Sequence, residues 1–578
     1  MTHPTSSAPR TSLVLTACGV VGFVLGAFWQ PAWQDALEPA QILAGVVDYP
    51  PGHPFLVYAT KTWTVLHQVL AALLYLGCSE YALTVVMSGI MGMVSLQALG
   101  LCVYALSGDA ALSIVAPAFS LGTSTASGGV TYPVWLLGVQ WTYGVIGLSY
   151  VLLTMALYGA GRFRTAAFFL GLAPAIHLPL GAFATGAVLL GVAASPPALR
   201  RAVAGGWRHW ALGASMTAAS MAIHLLQPDA GDAIRLPFME AFGQHWDEHR
   251  EPFPLLSPNA IATYLSVAVP LLWAIRYRNQ VSPSGRLLLC MLGAAAMLGG
   301  SLTTSYWVIP ADVPNPIPAL MPSRLLNLNV MSCFALLVGL SAGYPASVAV
   351  QGAVAAVATV LAALAAWPAV VNGDIDQQMA GWAGTAVLAA ILVMAAEHAR
   401  RHTASGPVLR ASGCRRASLG AMGAALCGML ALATVDVLRF PRGEKLGRKD
   451  PVLIAAARRE GPLITSSNLH LIQVATRRPI LLDGGALDAL IYAPEAAPET
   501  DWILRAVYGV RLRDIQQSGV AWLPEQTARS LWESRTGADW RAIRHTYAAT
   551  DILTYSGWQL QLPIVAASAD LTLYGLPK

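Results

Sequence analysis

Uninterrupted apolar segments recur along most of the first 440 residues, and they constrain the fold of this chain more than any other feature. Hydrophobic residues make up 55% of the sequence and charged residues only 11%. A helix needs about 20 mostly apolar residues to cross about 30 Å of hydrocarbon, and several segments meet that requirement. Because these segments are continuous rather than alternating, they exclude a membrane barrel of strands. The sequence therefore predicts a polytopic α-helical membrane protein.

Charge and cysteine usage exclude two other classes of function. The net charge of +5 comes with arginine clusters in the short connections between apolar segments, where they orient a membrane protein and do not indicate a nucleic-acid partner. The seven cysteines form no CxxC pair and show no metal-type spacing. We interpret them as small apolar residues within or beside the membrane segments.

The arginine clusters give a self-consistent topology under the positive-inside rule. Arg10 precedes the first apolar segment, and no cleavage site follows, so we expect an uncleaved first span with a cytoplasmic N-terminus. Arg162 and Arg200 mark later cytoplasmic connections. Spans two and three are predicted at 62–77 and 81–106. About thirteen crossings fit in a membrane domain of residues 1–440, with long outer loops at 30–60, 107–143, 227–258 and 307–324.

The segment between Arg164 and Arg200 is too short for two full spans, although both arginines mark the cytoplasmic side. Two short helices that meet at residues 174–179, where prolines flank His177, would solve this. Non-helical backbone inside a membrane requires surrounding protein or a water-filled cavity. We therefore expect His177 to lie part-way across the membrane and to face a cavity.

After Arg439 the composition becomes that of a soluble domain, which we assign to residues 441–578. Short apolar strands alternate there with helical stretches, and this rhythm predicts a small α/β unit with a partly parallel sheet. An odd number of crossings puts the domain outside the cytoplasm. Gly484 and Gly485 belong to no phosphate-binding motif, so nucleotide binding is not expected. The predicted strands are 463–465, 480–482 and 520–522, and the predicted helices are 451–460 and 500–510.

About thirteen spans, a long first outer loop with acidic residues, paired short helices in mid-chain and an outer C-terminal domain together resemble the GT-C superfamily of integral-membrane glycosyltransferases. The segment 463–483, which contains Gln473, Arg478 and Asp483, also resembles the start of the soluble tails of some bacterial members. The resemblance implies an enzyme of the bacterial inner membrane that takes a sugar from a polyprenyl phosphate or pyrophosphate donor. The acceptor, a lipid, a glycan or a protein, would lie outside the cytoplasm.

The resemblance also implies a general base, usually an aspartate or glutamate in the first outer loop. The acceptor hydroxyl must lose a proton as it attacks the anomeric carbon. The candidates are Asp35, Glu38 and Asp48. Asp48 is favoured because it precedes a rigid turn that contains several prolines, and Glu38 is the next candidate. His53, in the same turn, either assists Asp48 or caps the turn.

Other polar residues are candidates for binding the donor. Arg324 lies where an outer loop meets a span and offers a bidentate phosphate contact, and His177 is the intramembrane candidate. The third outer loop adds a dense polar run of candidates: His245, Asp247, His249 and Arg250. The two histidines of this run share a helix face, but a third spaced ligand is missing. We therefore expect neither a tightly held divalent metal nor another cofactor.

Two other classes of function stay open at the level of sequence. A transporter, or a flippase for lipid or polysaccharide, also has many spans and intramembrane polar residues, but it usually shows two related halves with interruptions in corresponding positions. Here only the interruption at 174–179 is evident. A noncatalytic membrane scaffold predicts an unconstrained first loop, against which the dense turn at 49–54 argues.

Overall fold

A computed structural model describes residues 7–28, 36–117 without 63, 143–226, 256, 258–309 without 277, 317, 320–343, and 450–578 without 467–468, 470, 484–486, 488, 491, 513 and 515–524. Its membrane-domain helices are α1 (Ser7–Phe28), α2 (Leu37–Leu43), α3 (Pro54–Lys61), α4 (Val65–Tyr75), α5 (Glu80–Ser107), α6 (Ala110–Val115), α7 (Tyr143–Gly159), α8 (Phe163–Ile176), α9 (Leu178–Ala193), α10 (Pro197–Ala204), α11 (Trp207–Leu226), α12 (Pro258–Arg276), α13 (Pro283–Val308) and α14 (Arg324–Gly343). Among the described residues, three stretches are long and apolar enough to cross a membrane: Pro9–Ala27, Glu80–Ser107 and Pro283–Val308.

Helices α1 and α5 pack antiparallel at backbone contact because glycines remove the side chains between them. A Cβ atom added to Gly22 would overlap the carbonyl oxygen of Gly92, and one added to Gly26 would overlap that of Ser88. Such close approach is typical of helix pairs with small residues in membranes. The start of α5 therefore lies beside the end of α1.

Contacts among the other helices define two ends of the bundle. Arg162 donates a hydrogen bond to Ser12 near the start of α1. Gly159, at the end of α7, packs on Ala105 near the end of α5, and Gly339, late in α14, packs on α5 at a similar level. We refer to this end as the arginine end. The opposite end, where α5, α7 and α14 begin, we refer to as the loop end.

Helix α4 is too short to be a membrane span, so the prediction of a second span at 62–77 is wrong. The helix contains 11 residues, which at 1.5 Å per residue is about 17 Å and well short of a bilayer core. Its apolar residues Leu70 and Leu74 share a buried cluster with Leu471 and Val474 of the C-terminal domain. The hydropathy of α4 therefore reflects contact with protein.

Residues 107 and 143, the ends of the predicted second outer loop, lie at opposite ends of the bundle. Helices α5 and α7 run parallel: Ser95 donates to Ser149 at 3.2 Å, and both helices finish at the arginine end. Helix α6 follows α5 and lies beside α1, where Cys18 Sγ lies 3.5 Å from the Ser113 carbonyl oxygen.

Helices α8 and α9 are the predicted pair of short helices, with 14 and 16 residues. His177 stands between them in extended backbone conformation, and Pro179 suits the first turn of α9, where no N–H partner is needed. The tip of this hairpin packs against α7, since a Cβ atom added to Gly147 would overlap the His177 ring. The position of His177 part-way across the membrane stays a prediction.

The C-terminal domain has its own apolar core and a partly parallel sheet, as the sequence predicts. The strands are β1 (Leu463–Thr465), β2 (Asp551–Tyr555), β3 (Ile564–Ala567) and β4 (Leu571–Gly575). The sheet order is β1-β2-β4-β3, in which β1 and β2 are parallel and the other pairs antiparallel. The predicted strand at 480–482 is reduced to one bridge between Ile480 and Leu463, and the predicted strand at 520–522 lies outside the described residues. The domain's helices are α15 (Pro451–Ala457), α16 (Ile472–Thr476), α17 (Ala497–Ile503), α18 (Glu525–Ser534) and α19 (Gly537–Tyr547).

Candidate functional site

Arg324 and His177 meet at the loop end of the bundle. Arg324 is the first residue of α14 and follows a tight turn in which Met321 has a positive φ of 48°. His177 is the tip of the α8–α9 hairpin. The Arg324 Nη1 atom lies 3.4 Å from His177 Nε2, although the two residues are 147 positions apart in sequence. The fold thus brings together two residues that the sequence predicts, independently, to bind the donor.

Both side chains present hydrogen-bond donors to the same space. His177 Nδ1 accepts from the backbone N–H of Leu180 as the N-cap of α9. A neutral imidazole that accepts at Nδ1 carries its proton on Nε2. The Nε2–H group and the Arg324 guanidinium are then both donors, so neither satisfies the other. An anionic oxygen between them would accept from both, which makes this a site for a phosphate or carboxylate group.

Two further rings extend the site from His177 towards the first loop. The ring centroids of Tyr143 and His177 are 5.7 Å apart, and those of Tyr143 and His67 are 5.2 Å apart. The Tyr143 hydroxyl contacts Thr64 Oγ1, and His67 Nδ1 accepts from the Thr64 N–H at 3.2 Å. The sequence predicts no role for His67, which differs from its neighbours only as a polar ring within an apolar segment. For Tyr143, one of the aromatic residues of the predicted second outer loop, the sequence leaves open anchoring at the membrane interface or stacking on a sugar.

Two buried hydroxyl groups lie near this end of the bundle. Thr303 of α13 is 2% exposed and Ser323, just before α14, is 0% exposed. Neither hydroxyl has a hydrogen-bond partner in the part of the chain that the structure describes. Gly299, one turn before Thr303, packs on the carbonyl oxygen of Pro322, which brings α13 close to the turn before Arg324. Buried hydroxyls of this kind are costly unless water or a ligand completes them.

The first-loop carboxylates differ in exposure. Val47 and Tyr49 are buried in the core of the C-terminal domain, whereas Asp48 between them is exposed. Glu38 lies in the first turn of α2 and is half-buried. Its charge lies close enough to the Tyr49 hydroxyl to oppose ionisation of that group. Asp48 is therefore the more accessible of the two predicted bases.

His53 caps helix α3. Its Nδ1 atom accepts from the Phe55 N–H at 3.4 Å, at the N-cap of α3. The ring lies 4.4 Å from the Tyr49 ring, centroid to centroid, and bonds to the backbone of Leu481. Burial lowers the pKa of His53 to about 4, so the ring is neutral at physiological pH.

A series of hydrogen bonds connects the first loop to the C-terminal domain. The Tyr49 hydroxyl donates to Gln473 Oε1 at 2.7 Å. Gln473 Nε2 donates to Gln41 Oε1 at 3.1 Å, and Gln41 Nε2 donates to Glu80 Oε1 at 3.0 Å. Arg477 binds both carboxylate oxygens of Glu80, at 2.7 and 2.8 Å. The first loop, the start of α5 and the C-terminal domain therefore meet in one network.

Other predicted site residues lie outside the described residues: Asp35, His245, Asp247, His249 and Arg250. Within the described ranges, no group of three or more histidine, cysteine, aspartate or glutamate side chains is arranged to hold a metal ion. The roles of the third-loop residues in binding a substrate stay predictions.

Comparison with known proteins gives a similarity of overall structure. No family model matches this chain, and no curated protein matches it. The chain is similar to two solved structures of ArnT from Cupriavidus metallidurans, one bound to undecaprenyl phosphate and one in the apo state. Each similarity covers 99% of this chain and 99% of that chain, with 14% sequence identity and a TM-score of 0.48.

Proposed function

We propose that this chain is a membrane glycosyltransferase that moves a sugar from a polyprenyl phosphate-linked donor to an acceptor outside the cytoplasm. The observation that carries the proposal is the convergence of Arg324 and His177, whose facing nitrogen atoms lie 3.4 Å apart. Two donors that cannot bond to each other form a site for an anionic oxygen. A phosphate between guanidinium and imidazole would be held both before and during its release from the sugar.

The surroundings of this pair favour a lipid-linked phosphate over a free anion. The pair lies at the end of a bundle of apolar helices, where an apolar tail can lie among the helices while its phosphate stays at their ends. The rings of Tyr143 and His67 lead from this point towards the first loop. A donor of this kind would thus have its phosphate at Arg324 and His177 and its sugar directed at the first loop.

The first loop supplies the proposed general base. Transfer to a hydroxyl requires a group that takes up the acceptor's proton as the new glycosidic bond forms. Asp48 is exposed and flanked by two buried neighbours, so an acceptor can reach its carboxylate. The bond from the anomeric carbon to the donor phosphate breaks, and the phosphate leaves with the electron pair. Arg324 and His177 would stabilise that charge.

Binding of undecaprenyl phosphate, the lipid in the similar solved structure, tests the phosphate site directly. We expect Arg324→Ala to weaken binding to the detergent-purified protein by about tenfold to a hundredfold, the effect of losing one charge-assisted hydrogen bond. The matched control is Arg286→Ala, which removes an arginine near the start of α13 at the arginine end. Unchanged affinity in Arg324→Ala, or an equal loss in Arg286→Ala, would remove the basis of the proposal.

A further inference from the structure

Gln473 uses every polar atom of its side chain to connect the C-terminal domain to the first loop. It is 0% exposed. Its Oε1 accepts from Tyr49, and its Nε2 donates to Gln41 Oε1 at 3.1 Å and to the carbonyl oxygen of Glu38 at 3.0 Å. Only one orientation of the amide satisfies all three bonds. The contact therefore requires a particular orientation of the Gln473 amide as well as a matching shape.

Tyr49 completes the same contact from the first loop. Its side chain is 5% exposed, and its hydroxyl donates to Gln473 and accepts from the backbone N–H of Ile480 at 3.0 Å. Burial raises the pKa of Tyr49 well above its usual value, so the hydroxyl keeps the proton that it donates. The chain is thus fixed on the C-terminal domain at the residue that follows Asp48.

We infer that Gln473 and Tyr49 are positioning residues for the transfer reaction, through which the C-terminal domain sets the place of the general base. The inference rests on the function proposed above. Val47 and Tyr49 are buried against the C-terminal domain, so the backbone on both sides of Asp48 is held while its carboxylate stays exposed. Gln473 also holds the Glu38 carbonyl of α2, which fixes the helix that precedes this segment. The C-terminal domain is in this sense part of the active site without contributing a catalytic group.

The substitution Gln473→Met tests this role because methionine has a similar length and shape but none of the three hydrogen bonds. We expect the transfer rate to fall by about tenfold to a hundredfold, the cost of a small misplacement of a reacting group. The affinity for undecaprenyl phosphate should stay within about twofold, since Arg324 and His177 are untouched. Tyr49→Phe should have a similar effect, and the double variant should lose less than the product of the two single losses.

Tyr508→Phe is the matched control within the same domain. Tyr508 is 1% exposed, and its hydroxyl donates to the carbonyl oxygens of Thr465 and Leu482, which belong to the domain itself. The variant loses buried hydrogen bonds without touching the first loop. We expect it to lower the melting temperature but to leave the transfer rate near that of the wild type.

Amide hydrogen exchange over residues 36–61 gives a measurement that needs no turnover. Exchange in this segment should rise in Gln473→Met and Tyr49→Phe and stay at the wild-type level in Tyr508→Phe. Unchanged exchange in Gln473→Met, or an equal loss of transfer in Tyr508→Phe, would overturn the inference. If the wild-type protein transfers no sugar, the proposed function fails, and the exchange comparison still decides whether Gln473 holds the loop.

Discussion

Asp48 and Glu38 differ in how accessible their carboxylates are to an acceptor, and this difference favours Asp48 as the general base. Asp48 is exposed between two anchored neighbours, whereas Glu38 is half-buried near Tyr49. A base must meet the acceptor hydroxyl at hydrogen-bond distance, so access comes before any question of proton affinity. The sequence argument favours Asp48 for its position before a rigid turn, and the structure adds accessibility.

We expect Asp48→Asn to lower transfer by about 10²–10⁴-fold, because asparagine keeps the shape of aspartate but takes up no proton. Binding of undecaprenyl phosphate should be nearly unchanged, which separates this variant from Arg324→Ala. Turnover with a polyprenyl-linked sugar and lipid binding are measured on the same preparations. Full activity in Asp48→Asn would move the base role to Glu38, and full activity in Glu38→Gln as well would remove the first loop from the chemistry.

The pairing of Arg324 with His177 shows what residue-level sequence reasoning can and cannot give. Each residue is identified by a local conflict: a charge at the start of a span, and a histidine between two prolines in an apolar segment. The two side chains come within 3.4 Å only because α14 packs beside the α8–α9 hairpin. The residues are 147 positions apart in sequence, so no local pattern predicts this contact. The role of Tyr143 is hidden for the same reason.

Among the described helices, α4 is apolar enough to be predicted as a membrane span but does not form one. Apolar periodicity reports that a helix face leaves water, but it does not tell whether lipid or protein covers that face. Length is the better discriminator here, since 11 residues cannot reach across a bilayer. The α8–α9 hairpin is predicted correctly because the segment between Arg164 and Arg200 is too short for two full spans.

Helix α3 leads to a prediction about pH. Its cap His53 is buried against the C-terminal domain with a pKa of about 4, below the usual 6.5 of an unfolded histidine. As pH falls below about 6.5 the unfolded chain takes up the proton first, so stability is complete above that pH and is lost towards pH 4. At pH 5 the loss is about 2 kcal/mol.

The variant His53→Asn isolates this effect, because asparagine is a good N-cap that does not titrate in this range. Its melting temperature should be lower than that of the wild type at pH 7.5, but it should fall less between pH 7.5 and pH 5. Parallel curves for the two proteins would show that His53 does not contribute to the pH dependence. The other histidines are common to both proteins and cancel in the comparison.

For the whole molecule, the predicted topology and the structure differ in the second span and in the direction of α5. Helix α4 is too short to span, and α5 runs from the loop end to the arginine end. The arginine end therefore holds Arg162 and Ser107, whereas the start of α5 lies at the loop end. Counting positive charges constrains the parity of crossings but not which segments make them.

Single cysteines in a cysteine-free background, labelled from either side of the membrane, distinguish the two arrangements. We expect Leu76→Cys and Lys578→Cys to react from the extracytoplasmic side and Ser107→Cys from the cytoplasmic side. Leu76 is 76% exposed, so a reagent can reach it. A cysteine at Ser107 that reacts together with one at Lys578 would reinstate 107–143 as an outer loop and would contradict the helix packing described above.

The contact between Gln41 and Gln473 spans 432 positions, nearly three quarters of the chain of 578 residues. During synthesis the side chains of Tyr49 and Phe55 therefore stay uncovered until the C-terminal domain that buries them has been translated. A ribosome that stops early leaves a chain whose bundle can insert but whose loop has no surface to fold on. By the arrangement proposed here, such a chain can hold the lipid but cannot use it, so transfer begins only after the C-terminal domain has folded against the first loop.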